Sequence, residues 1–416
     1  MSSMSSFYRD LFYIPVDAKG APVAYFCGHS LGLQPRAAFD AAQDVLDQWK
    51  AKGVDGWFEG ADRWMHLEEE VSVLMGPLVG GQFNEVAAMN TLTTNIHLAM
   101  ASFYQPTKKC YKVLVDAPAF SSDTYAVRSH VSLRGYDPDD AIIEVTSCPG
   151  CDLLTMEDFK AAFDRHGDEV ALVFVAGVNF LTGQLYDIQA ITRLAHAYGC
   201  RVGFDLAHAV GNVPLALHDW DTDFAVWCCY KYLNGGPGSP GGLFVHQKMI
   251  EEGVVPGLCG WWGHDPSTRF CLQEQSIFVP SDGIGGWRVS TPPVLPLALL
   301  KASLQVFQDA SFDALCNQSV AMTRRLYQGI EACNIPGMEI ITPATESNRG
   351  CQLSLRIGSD AAAMQQKLQL QGYVCDYRVP DIIRLAPVSL YNTMEEVDAF
   401  CDLFADVVRA HGSTGA

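Results

Sequence analysis

The feature that most constrains this chain is a run of alternating strand and helix patterns between residues 111 and 245. Short apolar segments at Tyr111–Val115, Ile142–Val145, Val170–Val175, Arg201–Phe204, Phe224–Cys228 and Gly242–Val245 read as strands. Between them, helical spacing of apolar residues predicts helices over Ser122–Leu133, Met156–Arg165 and Asp187–Tyr198. Apolar strands separated by helices specify a mostly parallel sheet covered on both faces. Ligands of such sheets sit beyond the carboxyl ends of the strands, so the loops just after the strands are where chemistry is expected.

The flanks read differently. Helices are predicted from Arg36 to about Lys52, from Asp62 to Val79 and over Ile96–Tyr104. A loop rich in Gly, Pro and Trp covers 254–293, and a helix restarts over Pro296–Phe307. From about residue 310, helix (Ala314–Ala332), strand (Gln352–Arg356), helix (Ala361–Leu370), strand (Ile382–Ala386) and helix (Thr393–Ala410) alternate more locally. The fold class is therefore α/β, with a large domain followed by a smaller α+β C-terminal domain. The expected division is 1–55 as an N-terminal segment joining the small domain, 56–300 as the large domain and 301–416 as the small one.

The 416 residues are 49% hydrophobic and 18% charged, a globular composition. A net charge of −19 argues against nucleic acid or an anionic membrane as partner, since both need a basic face. Fourteen scattered cysteines in so long a chain read as free thiols in a reducing compartment. The N-terminal Met1-Ser2-Ser3-Met4 lacks the pattern of a secretory signal, and no apolar run reaches membrane-spanning length. A cytoplasmic location is the expectation.

The chemistry centres on Trp227-Cys228-Cys229-Tyr230-Lys231-Tyr232-Leu233-Asn234, followed by a glycine-rich turn. Desolvation favours the neutral amine of a lysine, and a neutral amine attacks carbonyls. Twenty-six residues earlier, Asp205 closes another apolar run in Gly203-Phe204-Asp205-Leu206-Ala207-His208. A strand-end acid followed by a strand-end lysine suits pyridoxal phosphate, which takes a lysine at its aldehyde and an acid at its pyridine nitrogen. Phe120-Ser121-Ser122-Asp123 precedes a helix, where hydroxyls and free backbone N–H groups make a phosphate seat or an ordinary cap. Arg384 lies inside an apolar strand and needs an anion, either an internal acid or a substrate carboxylate.

Three other motifs have bland readings. Gly236-Pro237-Gly238-Ser239-Pro240-Gly241 fits a dinucleotide fingerprint, but its prolines and the strand after it favour a close-packed turn. Gly28-His29-Ser30-Leu31-Gly32 fits a hydrolase nucleophile elbow, yet only 27 residues precede it and Gln34-Pro35 part it from its helix. Cys148-Pro149-Gly150-Cys151 fits a redox pair or half a metal site, but no second pair and no suitable histidine pair accompany it, and it reads as a loop turn.

Taken together, these residues resemble the kynureninase family of fold-type-I pyridoxal-phosphate enzymes, within the aspartate aminotransferase superfamily. The resemblance spans essentially the whole chain. It rests on Gly28–Gly32 with Leu33-Gln34-Pro35, Leu92-Thr93, Phe120–Asp123, Asp205–His208, Tyr230–Asn234, Gly260-Trp261-Trp262-Gly263-His264, Ser290-Thr291-Pro292-Pro293, and Arg384 through Asn392. It implies a mostly parallel seven-stranded sheet in the large domain. It also implies hydrolysis of L-kynurenine, and of 3-hydroxy-L-kynurenine, to the corresponding anthranilate and L-alanine, in tryptophan catabolism and NAD biosynthesis. By resemblance Lys231 carries the cofactor and moves the α-proton, Asp205 pairs with the pyridine nitrogen and Phe120 stacks on the ring. Leu92, Thr93, Ser121, Ser122, Asp123, His208, Tyr230, Trp261 and Thr291 surround the cofactor. Arg384 takes the substrate carboxylate, with Trp57, Ser290, His29 and Ser30 near the substrate. Tyr230 is the proton relay at the γ-carbonyl. No metal is implied, and the family is a homodimer with sites at the subunit interface.

The chain departs from the family pattern in places. His29 replaces a frequent asparagine, and Ala176 replaces a hydrogen-bonding serine. Trp57 and Thr291 stand where vertebrate-type members carry histidine and asparagine, which leans toward kynurenine over its 3-hydroxy form. The competing functions are a cysteine desulfurase-like lyase or an aminotransferase on the same fold, and a non-catalytic binding protein. A desulfurase needs a catalytic cysteine on a mobile loop; the binding protein has no need of Lys231, Asp205 and Arg384 together.

Overall fold

A computed structural model describes residues 8–60, 63–271, 273, 276–358 and 361–412. Seven strands form the main sheet: β2 (Val86–Met89), β3 (Lys112–Asp116), β4 (Ile142–Val145), β5 (Val170–Ala176), β6 (Arg201–Asp205), β7 (Phe224–Cys228) and β8 (Gly241–Val245). Their spatial order is β2-β8-β7-β6-β5-β3-β4. Only β8 runs against the others, pairing antiparallel with both β2 and β7. The expected α/β class with a mostly parallel sheet is what forms.

Alternation along the strands decides which face each side chain covers. Leu114, Val173, Val175 and Phe204 enter one buried cluster, while Val113, Val115, Leu172 and Phe174 enter the cluster on the opposite face. Both faces are dry, which is why these strands read as continuous apolar runs. β5 follows β4 in the chain but lies on the other side of β3, so the winding reverses between β3 and β5. That reversal opens a crevice at the carboxyl ends of these strands.

A third hydrophobic cluster joins Ala24 and Phe26 to residues between Met322 and Phe404. It lies against a four-stranded antiparallel sheet of β12 (Asp376–Arg378), β13 (Ile382–Leu385), β10 (Leu353–Arg356) and β9 (Glu339–Ile340). The N-terminal segment is built into this part: β1 (Ala24–Tyr25) pairs parallel with β11 (Tyr373–Val374), and Cys27 bridges Ala386. The next helix, Ala37–Lys52, packs instead on the helices Val294–Asp309 and, through the latter, Trp64–Val79.

Several sequence expectations shift. The helix expected from Ile96 begins at Leu92, so Thr93 and Thr94 stand in its first turn. β2 went unread because Val86-Ala87-Ala88-Met89 carries one β-branched residue and draws its order from β8. The predicted helix start at Asp62 lies outside the described residues. The reading of all cysteines as free needs correction. The Pro149-Gly150 turn brings Cys148 and Cys151 to a Cα–Cα distance of 5.3 Å and the two are bonded, whereas the other twelve are free. The turn after Lys231 forms as expected, with Gly236 and Gly238 at positive φ before β8.

Candidate active site

Four strand ends deliver the site. β3 ends in Asp116, β5 in Ala176, β6 in Asp205 and β7 in Cys228, and the loops beyond them line one cleft with Phe120, Phe180, His208, Tyr230 and Lys231. Lys231 Nζ lies 2.9 Å from His208 Nε2. His208 is held neutral: burial, then the Lys231 charge, push its pKa well below the usual histidine value. A neutral imidazole leaves Nε2 free to accept from the lysine.

Asp205 is buried and accepts the Ala207 N–H at 2.8 Å, which fixes one carboxylate oxygen. Asp123, on the helix Ser121–Leu133, faces it. Burial first, then the Asp205 charge, push the Asp123 carboxyl well above the usual carboxylate range. Charging Asp123 would set two negative charges side by side away from water, which favours its protonated form. One Asp123 oxygen and Nδ1 of His208 have no partner among the described residues.

The anion seat takes shape from two helix starts. Thr93, in the first turn of Leu92–Phe103, and Ser122, in the first turn of Ser121–Leu133, share a 2.9 Å hydroxyl contact. Neither cap, Thr91 or Phe120, covers a backbone N–H of its helix with its side chain. Two uncapped N-termini meeting at two hydroxyls are an anion-binding arrangement. The ring of Phe120 is 40% exposed at the cleft and meets Phe180 edge to face at 5.4 Å. An amine, an acid, an open aromatic face and an anion seat in one cleft are the donor set that pyridoxal phosphate requires, so these residues fit that group.

Asp116, which the sequence reading did not single out, anchors the loop after β5. It accepts from Ala176 N at 3.0 Å, Asn179 Nδ2 at 3.2 Å and the Tyr186 hydroxyl at 3.1 Å. Asn179 in turn accepts from the backbone of Leu181 and Thr182, closing a tight turn. The carbonyl of Phe180 on that turn accepts Arg384 Nη1 at 2.7 Å. The cofactor side is thereby joined to the substrate side. Strand-end placement, the signal that singled out Asp205, also marked Asp116.

Arg384 is buried, and its internal partner is Asp376, another residue that sequence reasoning missed. Ser30 and His29 lie beside this pair; both nitrogens of the buried His29 ring lack a hydrogen-bond partner, and the ring centre is 6.3 Å from that of His208. Burial, then the Arg384 and Lys231 charges, hold His29 neutral. Tyr230 is half-buried, and burial followed by Cys228 raises its phenol above the ordinary tyrosine value. Leu92 lines the cleft, and Ser121 is exposed at its helix start.

Four further residues gather elsewhere. Trp57 packs on Trp64 and Trp262 at 5.6 and 5.8 Å, and Trp261 on Trp262 at 5.0 Å. The strand-like 288–291 segment runs past them, its Val289 backbone tight against Gly260, and leaves Ser290 and Thr291 exposed. Among the described residues, no hydrogen bond or ring contact joins Trp57, Trp261, Ser290 or Thr291 to Lys231, Asp205 or Arg384.

Known proteins resemble this chain in sequence and in fold. Residues 315–404 match the family model of the kynureninase C-terminal domain. A kynureninase of Myxococcus xanthus (strain DK1622) is 47% identical over 393 residues, 94% of this chain and 92% of that protein. One from Xanthomonas campestris pv. campestris (strain B100) is also 47% identical, covering 95% of this chain and 92% of its own length. Among solved structures, a C-DES mutant with glycine covalently linked to its PLP cofactor superposes with a TM-score of 0.77 at 18% identity, covering 92% of this chain and 96% of that one. The apo cysteine desulfurase from Thermococcus onnurineus NA1 gives 0.77 at 16% identity, covering 99% and 100%. At such identities the solved structures establish the fold, whereas the near full-length sequence matches establish descent: the chain belongs to the kynureninase family.

Proposed function

We propose that this chain hydrolyses the Cβ–Cγ bond of L-kynurenine, releasing anthranilate and L-alanine, with pyridoxal 5′-phosphate as cofactor. The observation that carries this is Lys231, Asp205 and His208 meeting in one cleft at adjacent strand ends, in a chain of kynureninase descent. When bound, the cofactor supplies an electron sink for the charge left by bond breaking. Lys231 binds its aldehyde and then moves the substrate α-proton. Asp205 would take the pyridine nitrogen, with Asp123 facing it. Phe120 covers the ring face, and Thr93, Ser122 and the two helix starts hold the phosphate. Arg384 orients the α-carboxylate. Tyr230 passes a proton near the γ-carbonyl, where a placed acid–base group contributes about 10²–10⁴-fold.

Several finer readings belong with this proposal. The 3-hydroxy substrate is also turned over, more slowly than kynurenine, because Trp57 and Thr291 offer no polar partner of the vertebrate type. The enzyme acts in the cytoplasm, in tryptophan catabolism and NAD biosynthesis. It works as a homodimer, in which Trp57, Trp261, Ser290 and Thr291 serve the cleft of the other copy. Support for this is their distance in contact terms from Lys231 and the exposure of Ser290 and Thr291. The chain divides at about residues 55 and 300, a reading supported by the separate cluster around Phe26, Leu353 and Phe400.

The test is spectroscopic and kinetic. Purified protein with pyridoxal phosphate should absorb in the visible and release fluorescent anthranilate from L-kynurenine. Lys231→Ala should abolish both. A colourless wild-type protein, or one that forms no anthranilate, sinks the proposal.

A further inference from the structure

The buried end of Arg384 is fully organised before any substrate arrives. Asp376 and Arg384 are direct register partners across the antiparallel β12–β13 pair, so their side chains share one face. Arg384 Nε reaches Asp376 Oδ1 at 3.1 Å and Nη2 reaches Oδ2 at 2.8 Å, a side-on bidentate pair. Arg378 pairs with the same carboxylate: its Nη2 donates to Oδ2 at 3.1 Å, and its Nε lies within ion-pair range of Oδ1 at 3.0 Å. The Ser30 hydroxyl donates to Oδ2 at 2.9 Å. Asp376 is thus held by three residues at once.

The remaining donors of Arg384 are countable. Guanidinium has five N–H groups. Two go to Asp376 and one, on Nη1, to the Phe180 carbonyl. The last two lie on Nη1 and Nη2, and the nearest acceptor recorded for them is the Ser30 hydroxyl at 3.5 Å. Charge points the same way. Two guanidinium groups and one carboxylate leave one positive charge, which matches a single incoming carboxylate.

We infer that Asp376 is a positioning residue for the substrate. It holds the Nε–Nη2 edge of Arg384 and presents the Nη1–Nη2 edge to the α-carboxylate, with Ser30 as the adjoining hydroxyl. This rests on the proposed role of Arg384 in kynurenine cleavage. An alternative would make Asp376 an internal plug that the substrate must displace. The triple lock on Asp376 argues against that, since leaving Arg384 would strand Arg378 and Ser30 as well.

The two cases differ in the sign of one measurement. In holoenzyme, L-alanine and L-alaninamide are titrated while the visible absorbance is followed, so that only the carboxylate differs between probes. For Asp376→Asn the affinity for L-alanine should fall at least about tenfold, the size expected for losing bonds to a charged group, and that for L-alaninamide by less than about threefold. Ser30→Ala, a milder change that keeps the charge, should weaken L-alanine about two- to fivefold, and KM for kynurenine should rise more than kcat falls. Unchanged or tighter L-alanine binding in both variants overturns the inference; if Asp376→Asn fails to fold, Ser30→Ala decides. Arg384→Ala separates the layers. If it leaves the preference for L-alanine over L-alaninamide intact, the carboxylate role of Arg384 falls, and the role of Asp376 with it.

Discussion

Gly32→Ala is a small change that should reach the catalytic lysine directly. The Gly32 N–H donates to the Tyr230 carbonyl at 2.8 Å, which ties the N-terminal segment to the lysine turn. A Cβ at this position would stand 2.3 Å from the Lys231 carbonyl oxygen, 2.2 Å from Asn234 Oδ1 and 2.8 Å from Asn234 Cα. Ordinary contact begins near 3.4 Å, so the backbone must open by roughly 1 Å. The turn resists: Asn234 N donates to Lys231 O at 3.0 Å, and Asn234 sits at a positive φ of 52°. Overpacking against fixed backbone costs about 1–3 kcal/mol. A misplacement of about 1 Å at a catalytic group costs about 10²-fold in rate. Urea unfolding, kcat with kynurenine and the visible absorbance of the holoenzyme measure these effects. If Gly32→Ala keeps kcat within about threefold and its midpoint unchanged, the tight coupling argued here is wrong.

Acid sensitivity should show the neutral histidines. His29 has its pKa well below 6.5 in the fold, so the unfolded chain takes up the proton first and stability falls as pH drops below 6.5. His29→Asn should therefore lose less stability than wild type between pH 7.0 and 5.5, by up to about 1 kcal/mol; equal losses in urea titrations refute the assignment. Asp123, whose raised pKa acts with the opposite sign, contributes to both proteins and cancels in the comparison. Asp116→Ala strands the Ala176 N–H, Asn179 and the Tyr186 hydroxyl, and should destabilise by about 3 kcal/mol or more. It should also raise KM, because the loop it anchors carries the Phe180 carbonyl on Arg384; a loss under about 1 kcal/mol would count against that anchoring role.

What the sequence made legible follows the physics of each element. β5 and β7 are apolar on both faces, and that leaves a pattern anyone can read. Lys231 and Asp205 close such strands, so their positions in the fold came with the strands. β12 left no such mark: Asp376-Tyr377-Arg378 is three half-buried polar or mixed residues, and only pairing with β13 makes it a strand. With β12 unread, the acid opposite Arg384 could not be found, although a buried arginine demanded one. Cys148 and Cys151 illustrate the opposite problem, since the Pro149-Gly150 turn was legible but the bond between its two thiols was not. The family motifs named Trp57, Trp261, Ser290 and Thr291 alongside Lys231. Nothing in a linear motif says whether two residues serve the same cleft.

The join between Ser30 and Asp376 spans 346 residues of chain. β1 likewise has its strand partner only at Tyr373–Val374. During synthesis β1 and Ser30 therefore emerge long before these partners, while the seven-stranded sheet can already form behind them. Contacts of such separation close late. The substrate corner is then the last part of the molecule to exist. A chain stalled before residue 373 can own a packed sheet and an accessible Lys231, and still have no Asp376 or Arg384 to receive a carboxylate.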